Sequence, residues 1–574
     1  MAFVDAREMH EHELPPADLC IVGAGPAGLS IARALAPRGL RITVLESGGL
    51  DPDARAQALA AGRTTGDEFE PLEATRARRF GGTAHLWNTG RAWWDDGGFR
   101  HGLLHAVDFE RRAWLPHSVG WPFGPEQLAP YVERASAMHG LGAPRYEGEA
   151  WADEHAPCLP LDGEVLTTSV WKLCPAVRFT RDLEAEFRQS PVRVLLNASA
   201  IEILTNGEGG AATHVRVRAT GGSTFRVPAR AFVLACGGIE NTRLLLLSHA
   251  THPAGLGNGH GLVGRYFMEH QWVTGGRLVP ADPTLFARTA LYDTRSVRGT
   301  LVAGKLDFTD DTLRRHQLLN VSAAFVPRHR RSARFVQAGP NAASAILRSL
   351  ARGRLPEHAG AQLRATLRHL DYVVPALLRR VSGNRLFPYA RPAPDLIAGD
   401  NWSALSNPQR RWHAFEVILH CEQAPHPENR VTLDDAVDEL GVRRARLHWE
   451  WRDVDQSSVA RAQSLLQAEL ARAGVGRYEI ATKDGGPILH HPGLHHHMGT
   501  TRMHPSAREG VVDGYGRVHG LANLYVAGCS QFPSGGYMNP TLTIVALALR
   551  QADHLAARLS APAPDLTPSG ADIA

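Results

Sequence analysis

The sequence predicts an α/β fold, and three segments carry that reading. Leu19-Cys20-Ile21-Val22 has the pattern of a buried strand and runs through Gly23-Ala24-Gly25-Pro26-Ala27-Gly28 into an Ala/Leu-rich helical stretch ending at Leu35. Far downstream, 231–236 and 524–526 repeat the logic. Each is an apolar strand that passes paired glycines, Gly237-Gly238 or Gly535-Gly536, before a helix over 240–247 or 540–558. A Rossmann-type sheet assembled from discontinuous segments follows. Between these pieces, β-like runs at 415–420 and 429–433 point to a second, α+β unit on an antiparallel sheet.

The chain has 574 residues, enough for two or more compact units. Hydrophobic residues make up 44% and charged residues 21%, so a sizeable core is available and the composition of a disordered chain is excluded. The net charge of +4 is too near neutral to imply, by itself, nucleic acid or an anionic membrane as a partner. Only Lys172, Lys305 and Lys483 are lysines, an arginine bias of composition. The six cysteines have no CxxC spacing, so a disulfide framework is not expected; a Cys158–Cys174 bridge is the alternative left open. The first 13 residues lack a signal-type apolar core, and no run of about 18 apolar residues occurs. A cytoplasmic chain without a membrane span is the expectation.

In the first turn each glycine has its own reason. Gly23 permits the tight bend, Gly25 lets backbone approach a pyrophosphate, and Gly28 lets helix pack closely on strand. The helix N-terminus, which Pro26 opens and Ala27 continues, offers the free N–H groups beyond the proline to the anion. A second strand over 41–45 ends in Glu46, 23 residues after Gly23, where a carboxylate can accept from an adenosine ribose. This motif alone leaves NAD and FAD both open.

Four blocks in this order resemble the glucose–methanol–choline (GMC) family of flavoprotein oxidoreductases. They are the dinucleotide turn with Glu46-Ser47-Gly48-Gly49; Gly81-Gly82-Thr83-Ala84-His85-Leu86-Trp87-Asn88; Leu234-Ala235-Cys236-Gly237-Gly238; and His496-His497-Met498-Gly499-Thr500-Thr501-Arg502-Met503 continuing to Asn539-Pro540-Thr541. Shorter matches run from Gly264 to His270 and from Pro427 to Leu433. The wording of the last block is most similar to the pyranose-oxidase and bacterial sugar or aminosugar dehydrogenase side of the family. The resemblance implies FAD, held by an FAD-binding domain from 15–115 and 191–275. It implies a cover segment over 116–190, a substrate domain over 276–484 and a C-terminal block over 485–560 that completes the site. The Arg-rich stretch 314–380 reads as a solvated helical insert, with docking to a membrane or an acidic partner as its rival, and 561–574 as a disordered tail.

The resemblance also implies residue roles. His496 faces flavin as the base that takes a hydroxyl proton, and Asn539 fills the second catalytic position. Flavin contacts are expected from Thr83, His85 and Asn88, and further cofactor contacts from Ala200, Ala235, Cys236, Gly237, Gly528, Cys529, Pro540 and Thr541. Gly528 stands where many relatives place Asp. A neutral imidazole suits proton abstraction near neutral pH, and an amide donor suits a developing alkoxide. Asn539 followed by Pro540 also reads as a helix N-cap and first helical residue. Some relatives link FAD to a His five residues after the first Gly of the second block; this chain has Leu86 there and His85 one position earlier, so FAD is expected to be noncovalent.

The expected activity is FAD-dependent oxidation of CH–OH to C=O on a sugar, glycoside or aminosugar, with oxygen, quinone or a redox protein as acceptor. The rivals are a GMC enzyme for a non-sugar alcohol and an NAD(P)-linked reductase. His497, Glu422 and Gln423 are the candidate substrate contacts. A zinc site among His490, His491, His495, His496 and His497 is not expected, because Pro492 and Gly493 break any helical pairing of the imidazoles.

Overall fold

The computed structural model describes residues 3–86, 99–174, 176–329, 333–356, 358–370, 373–374, 402–404, 409, 412–490 and 494–560. Trp87, Asn88, His491, Pro492, Gly493 and the tail 561–574 lie outside the described residues.

Strands Phe3–Asp5, Arg193–Leu196, Ile42–Leu45, Ala17–Val22, Thr224–Leu234 and Leu524–Val526 lie parallel in that spatial order. These are the near-continuous apolar runs that a sheet covered on both faces requires, and Leu19, Cys20, Ile21, Val44, Phe232 and Val233 are buried. Thr224–Leu234 is long because it serves two layers. Its second half joins the parallel sheet, while its first half pairs antiparallel with Ala212–Ala219, which continues to Ala198–Thr205. The strand Phe3–Asp5 lies upstream of residue 15, where the sequence reading begins the domain; Phe-Val-Asp is too short to carry a periodicity signal.

A ten-stranded antiparallel sheet forms the second layer. Its path runs from Gly486–Leu489 through Gln271–Pro280, Trp412–Cys421, Val321–His329 and Thr300–Phe308 to Leu166–Cys174 and Phe99–His101. Arg430–Val437, Arg443–Trp449 and Gly62–Gly66 make a small third sheet. Within 314–380 the helices Ala333–Ala351 and Ala359–Arg368 follow the strand Val321–His329, so this stretch is not helical throughout. Its arginine count hides the apolar run Val321-Ser322-Ala323-Ala324-Phe325-Val326 that pairs with Trp412–Cys421.

One continuous apolar core joins the two large sheets. A smaller cluster around Phe69, Ile239, Phe267 and Trp449 fills the space under the third sheet. All six cysteines are free thiols. Among the described residues no helix is long and apolar enough to cross a membrane.

Candidate active site

Three strand–helix units meet at one cavity. Val22, Ala235 and Ala527, just beyond or at the ends of the strands Ala17–Val22, Thr224–Leu234 and Leu524–Val526, line it. The helices Pro26–Leu35, Gly237–Leu247 and Thr541–Ser560 start at its wall. Helix N-termini carry unpaired N–H groups and positive partial charge, so this arrangement suits an extended anion.

Most of the expected cofactor residues line this cavity: Gly23, Gly25, Pro26 and Ala27 from the first turn, then Glu46 and Ser47, Gly82 and Thr83, and Ala200. Cys236 and Gly237 line it with Ala235, and Gly528, Cys529, Pro540 and Thr541 close it from the C-terminal block. A Cβ added at Gly25 or Gly528 would meet nothing within 4 Å, so backbone there borders open space of the kind a diphosphate fills. The residues present fit FAD.

Some expected contacts fall elsewhere. Gly28 does not line the cavity; a Cβ there would sit 2.1 Å from the Gly23 carbonyl oxygen, and its role is close helix–strand packing. Gly81 donates its N–H to Ala24 O at 2.8 Å, which holds the second Gly-Gly loop on the first turn. His85, expected at the flavin, turns back so that Nε2 lies 2.9 Å from Phe80 O, because the short helix Gly82–Leu86 directs it toward its own loop. Both carboxylate oxygens of Glu46 accept backbone N–H bonds, from Ala24 at 3.0 Å and Gly48 at 2.9 Å, and burial raises its pKa. Arg76 and Arg78, which sequence reasoning passed over, also line the cavity and pair with Glu240. Those cations hold the Glu240 carboxyl far below its ordinary range despite its burial.

His496 and His497 line the opposite end. Their loop is clamped by reciprocal backbone bonds of 3.0 Å between Met268 and Met498. Gly499 is required beside it, since φ is +82° and a Cβ would lie 2.2 Å from Tyr266 O. The clamp brings His270 Nδ1 to 2.8 Å from His496 Nδ1, while His270 Nε2 lies 3.2 Å from Gly535 O.

These contacts fix where the protons are. A carbonyl only accepts, so His270 donates from Nε2, and its Nδ1 is a bare lone pair as long as the ring is neutral. Burial keeps it neutral, pushing its pKa down to about 4. His496 must then donate from Nδ1, which leaves its Nε2 unprotonated. Asn539 meets that lone pair with the amide donor Nδ2 at 3.3 Å. Burial, then the neighbouring His270, His495, His497 and His420, hold the His496 pKa well below its ordinary value.

Glu269 sits behind the pair. It accepts the His496 N–H with both oxygens at 2.8 Å and the His270 N–H at 2.9 Å. Burial outweighs these bonds and pushes its pKa up to about 8. Glu269 and His270 are site residues that sequence reasoning missed; the only signal was the short match ending at His270.

Three further expectations are corrected. Asn539 is not the helix cap: Ile544 N–H bonds to Pro540 O at 2.8 Å, so the helix starts after Pro540 and the Asn539 amide turns to His496 instead. Glu422 does not face the cavity; its fully buried carboxylate takes two bonds from Arg112, at 2.6 and 3.1 Å. Gln423 lies behind Glu269, accepting from the Glu269 N–H and from Trp449 Nε1 at 3.0 Å each. The strand end Cys421 turns both side chains inward, a choice between faces that one polar tripeptide cannot specify. His497 packs on Phe69 and Phe267 and lies 4.0 Å from Glu269. Among the described residues no group of His, Cys, Asp and Glu is arranged to hold a metal ion.

Residues 18–369 match the model of the FAD dependent oxidoreductase family, and residues 425–548 match that of GMC oxidoreductase. The chain belongs to the GMC family of FAD-dependent oxidoreductases. Its cofactor is FAD and it acts on CH–OH groups, which removes the NAD(P)-linked reading. This GMC chain is 25% identical to 2-methyl-1,2-propanediol dehydrogenase of Mycolicibacterium austroafricanum, over 95% of this chain and 96% of that one. It is 28% identical to paromamine 6'-oxidase of Streptomyces fradiae, over 59% of this chain and 48% of that one. Among solved structures, pyridoxine 4-oxidase from Mesorbium loti shares the fold, with a TM-score of 0.51, 17% identity and coverage of 94% and 98%.

Gly25→Val tests the cavity assignment. The side chain would occupy the space open before Gly25, and the purified variant is expected to lack flavin absorbance while remaining folded by circular dichroism. Stoichiometric FAD in that variant would contradict the site.

Proposed function

We propose that the protein oxidises a secondary or primary alcohol on a polyhydroxylated small molecule, a sugar, glycoside or aminosugar, with His496 as base and Asn539 as its partner. The observation that carries this reading is the 3.3 Å contact of Asn539 with His496, the member of the pair that lines the cavity, with Nε2 of His496 left as the lone pair. A substrate hydroxyl approaching Nε2 takes the place of the Asn539 donor and hands over its proton. Asn539 Nδ2 is then free to donate to the substrate oxygen as negative charge grows there. His270 holds the acceptor side of the tautomer throughout, and Glu269 holds the backbone of both histidines. FAD, when bound, would supply the two-electron acceptor that this oxidation requires.

The aminosugar side rests on the likeness to paromamine 6'-oxidase. The likeness to a diol dehydrogenase, which extends over the whole chain, favours a second reading in which the substrate is a small non-sugar diol. Anaerobic bleaching of the flavin by paromamine, fructose and 2-methyl-1,2-propanediol separates the two, and readmission of air identifies oxygen as acceptor when colour returns at the rate of turnover.

His496→Ala is expected to retain FAD and lose about 10²–10⁴-fold in the rate of flavin reduction by the most active of these alcohols. A rate near wild type would assign the base elsewhere.

Leu86 at the linking position and His85 turned to Phe80 support noncovalent attachment. Acid precipitation is expected to leave the yellow colour in the supernatant; colour in the pellet would overturn it.

Asn539→Asp places an anion beside His496 Nε2 and the substrate oxygen. The anion favours the protonated imidazole, which cannot accept a proton, and it opposes the developing alkoxide. Flavin reduction is expected to slow at least about 10-fold at neutral pH, roughly 1.4 kcal/mol, and to recover as pH rises. Wild type is expected to be level over the same range, because His496 is already neutral there. An unchanged rate in the variant would remove Asn539 from the mechanism.

A further inference from the structure

The Arg-rich hairpin has a surface that the flavin site does not use. Among the described residues nine large hydrophobic side chains are exposed, and seven of them fall between 347 and 374. Leu347 and Leu350 lie on the helix Ala333–Ala351, and Leu363 and Leu367 lie one turn apart on the helix Ala359–Arg368, with Leu370 and Val374 just beyond. Leu355, in the turn between the helices, is 87% exposed. The hairpin is formed rather than frayed: the helices pack on each other, with Ala343, His369 and Val373 buried and Gly339 against His369. Its apolar outer face is left without cover among the described residues.

The same hairpin is rich in cations. Arg348, Arg352, Arg354, Arg364 and Arg368 interleave with the leucines, and Glu357 and Asp371 are the only two carboxylates in the sequence from 333 to 374. Among the described residues none of these five arginines forms an ion pair, whereas most arginines elsewhere in the fold do.

We propose that this hairpin docks the protein on an anionic lipid surface, with the leucines in the headgroup–acyl boundary and the arginines at the phosphates. Leucine and arginine in this interleaved arrangement are the composition of an interfacial amphipathic helix, and arginine can bury its stem while its head stays at the phosphate level. Exposed apolar side chains gathered in one hairpin in this way mark an interaction site. A second copy fits poorly, since it would bring the same arginines face to face. An acidic protein groove would leave Leu355 at the tip uncovered, whereas a bilayer receives tip and flanks together. No described helix can cross a membrane, so the contact is peripheral.

The test is flotation of the holoenzyme with vesicles of phosphatidylcholine alone and of phosphatidylcholine mixed with phosphatidylglycerol. The protein is expected to float with the mixed vesicles and not with the neutral ones, and to be released by high salt. Leu355→Ser combined with Leu363→Ser and Leu367→Ser is expected to weaken binding at least about 10-fold, as is Arg352→Glu with Arg364→Glu. Both variants are expected to keep flavin content and the rate of flavin reduction, because these side chains are exposed and outside the cavity. Equal recovery with and without phosphatidylglycerol would overturn the proposal, as would binding that neither variant changes. Lipid-independent dimerisation lost in the leucine variant would overturn it in favour of a second copy.

Discussion

The structure depends on an electrostatic imbalance at one point. Three helices, Pro26–Leu35, Gly237–Leu247 and Thr541–Ser560, start at a single cavity, each bringing roughly half a positive charge at its N-terminus. Arg76 and Arg78 add two full cations, and Glu240 answers only part of that charge. Like poles this close repel, and the diphosphate of the cofactor is the anion that balances them. Binding to the folded state alone then stabilises it by mass action, so cofactor and fold support each other.

The histidine end of the cavity and the groups packed behind it follow the opposite rule. His270, His420, His496 and His497 are buried and driven toward neutrality by desolvation, and Glu269 is driven the same way with its pKa near 8. A proton-accepting site needs a ring that stays uncharged until substrate arrives, and burial provides that at the cost of solvation. Direction comes from hydrogen bonds: the carbonyl of Gly535 begins a chain in which each nitrogen's role dictates the next, ending at the amide of Asn539. Charge is concentrated where an anion must be held and removed where a proton must move.

The glycine-rich turns and the strands leading into them were legible because each needs a residue type that little else explains, whereas the roles expected of His496 and Asn539 came from the family resemblance of the C-terminal block. Gly25 borders empty space, Gly28 touches Gly23 O, and both follow from the motif's geometry. Glu269 and His270 were not legible as site residues, because their roles arise from a backbone clamp between Met268 and Met498, more than two hundred residues apart in the chain. Glu422 and Gln423 looked available for substrate because they are polar at a strand end, yet Arg112, Asn320 and Trp449 claim them from three other segments. Asn539 was read partly as a cap from Asn-Pro spacing alone; a competing partner, His496 Nε2, decided where its amide points. Such competition among distant partners leaves no local trace.

The position of Leu524–Val526 has a consequence for synthesis. This strand pairs with Thr224–Leu234 across nearly three hundred residues, and the helix Thr541–Ser560 follows it. As the chain leaves the ribosome, its N-terminal turn is available early, but the cavity wall formed by Gly528, Cys529, Pro540 and Thr541 is the last to emerge. Loop closure over such a distance is slow, and until it occurs one side of Thr224–Leu234 is an open, apolar sheet edge. Nascent protein therefore spends its most aggregation-prone interval with the cofactor site incomplete, and chains released before the final segment cannot shelter that edge.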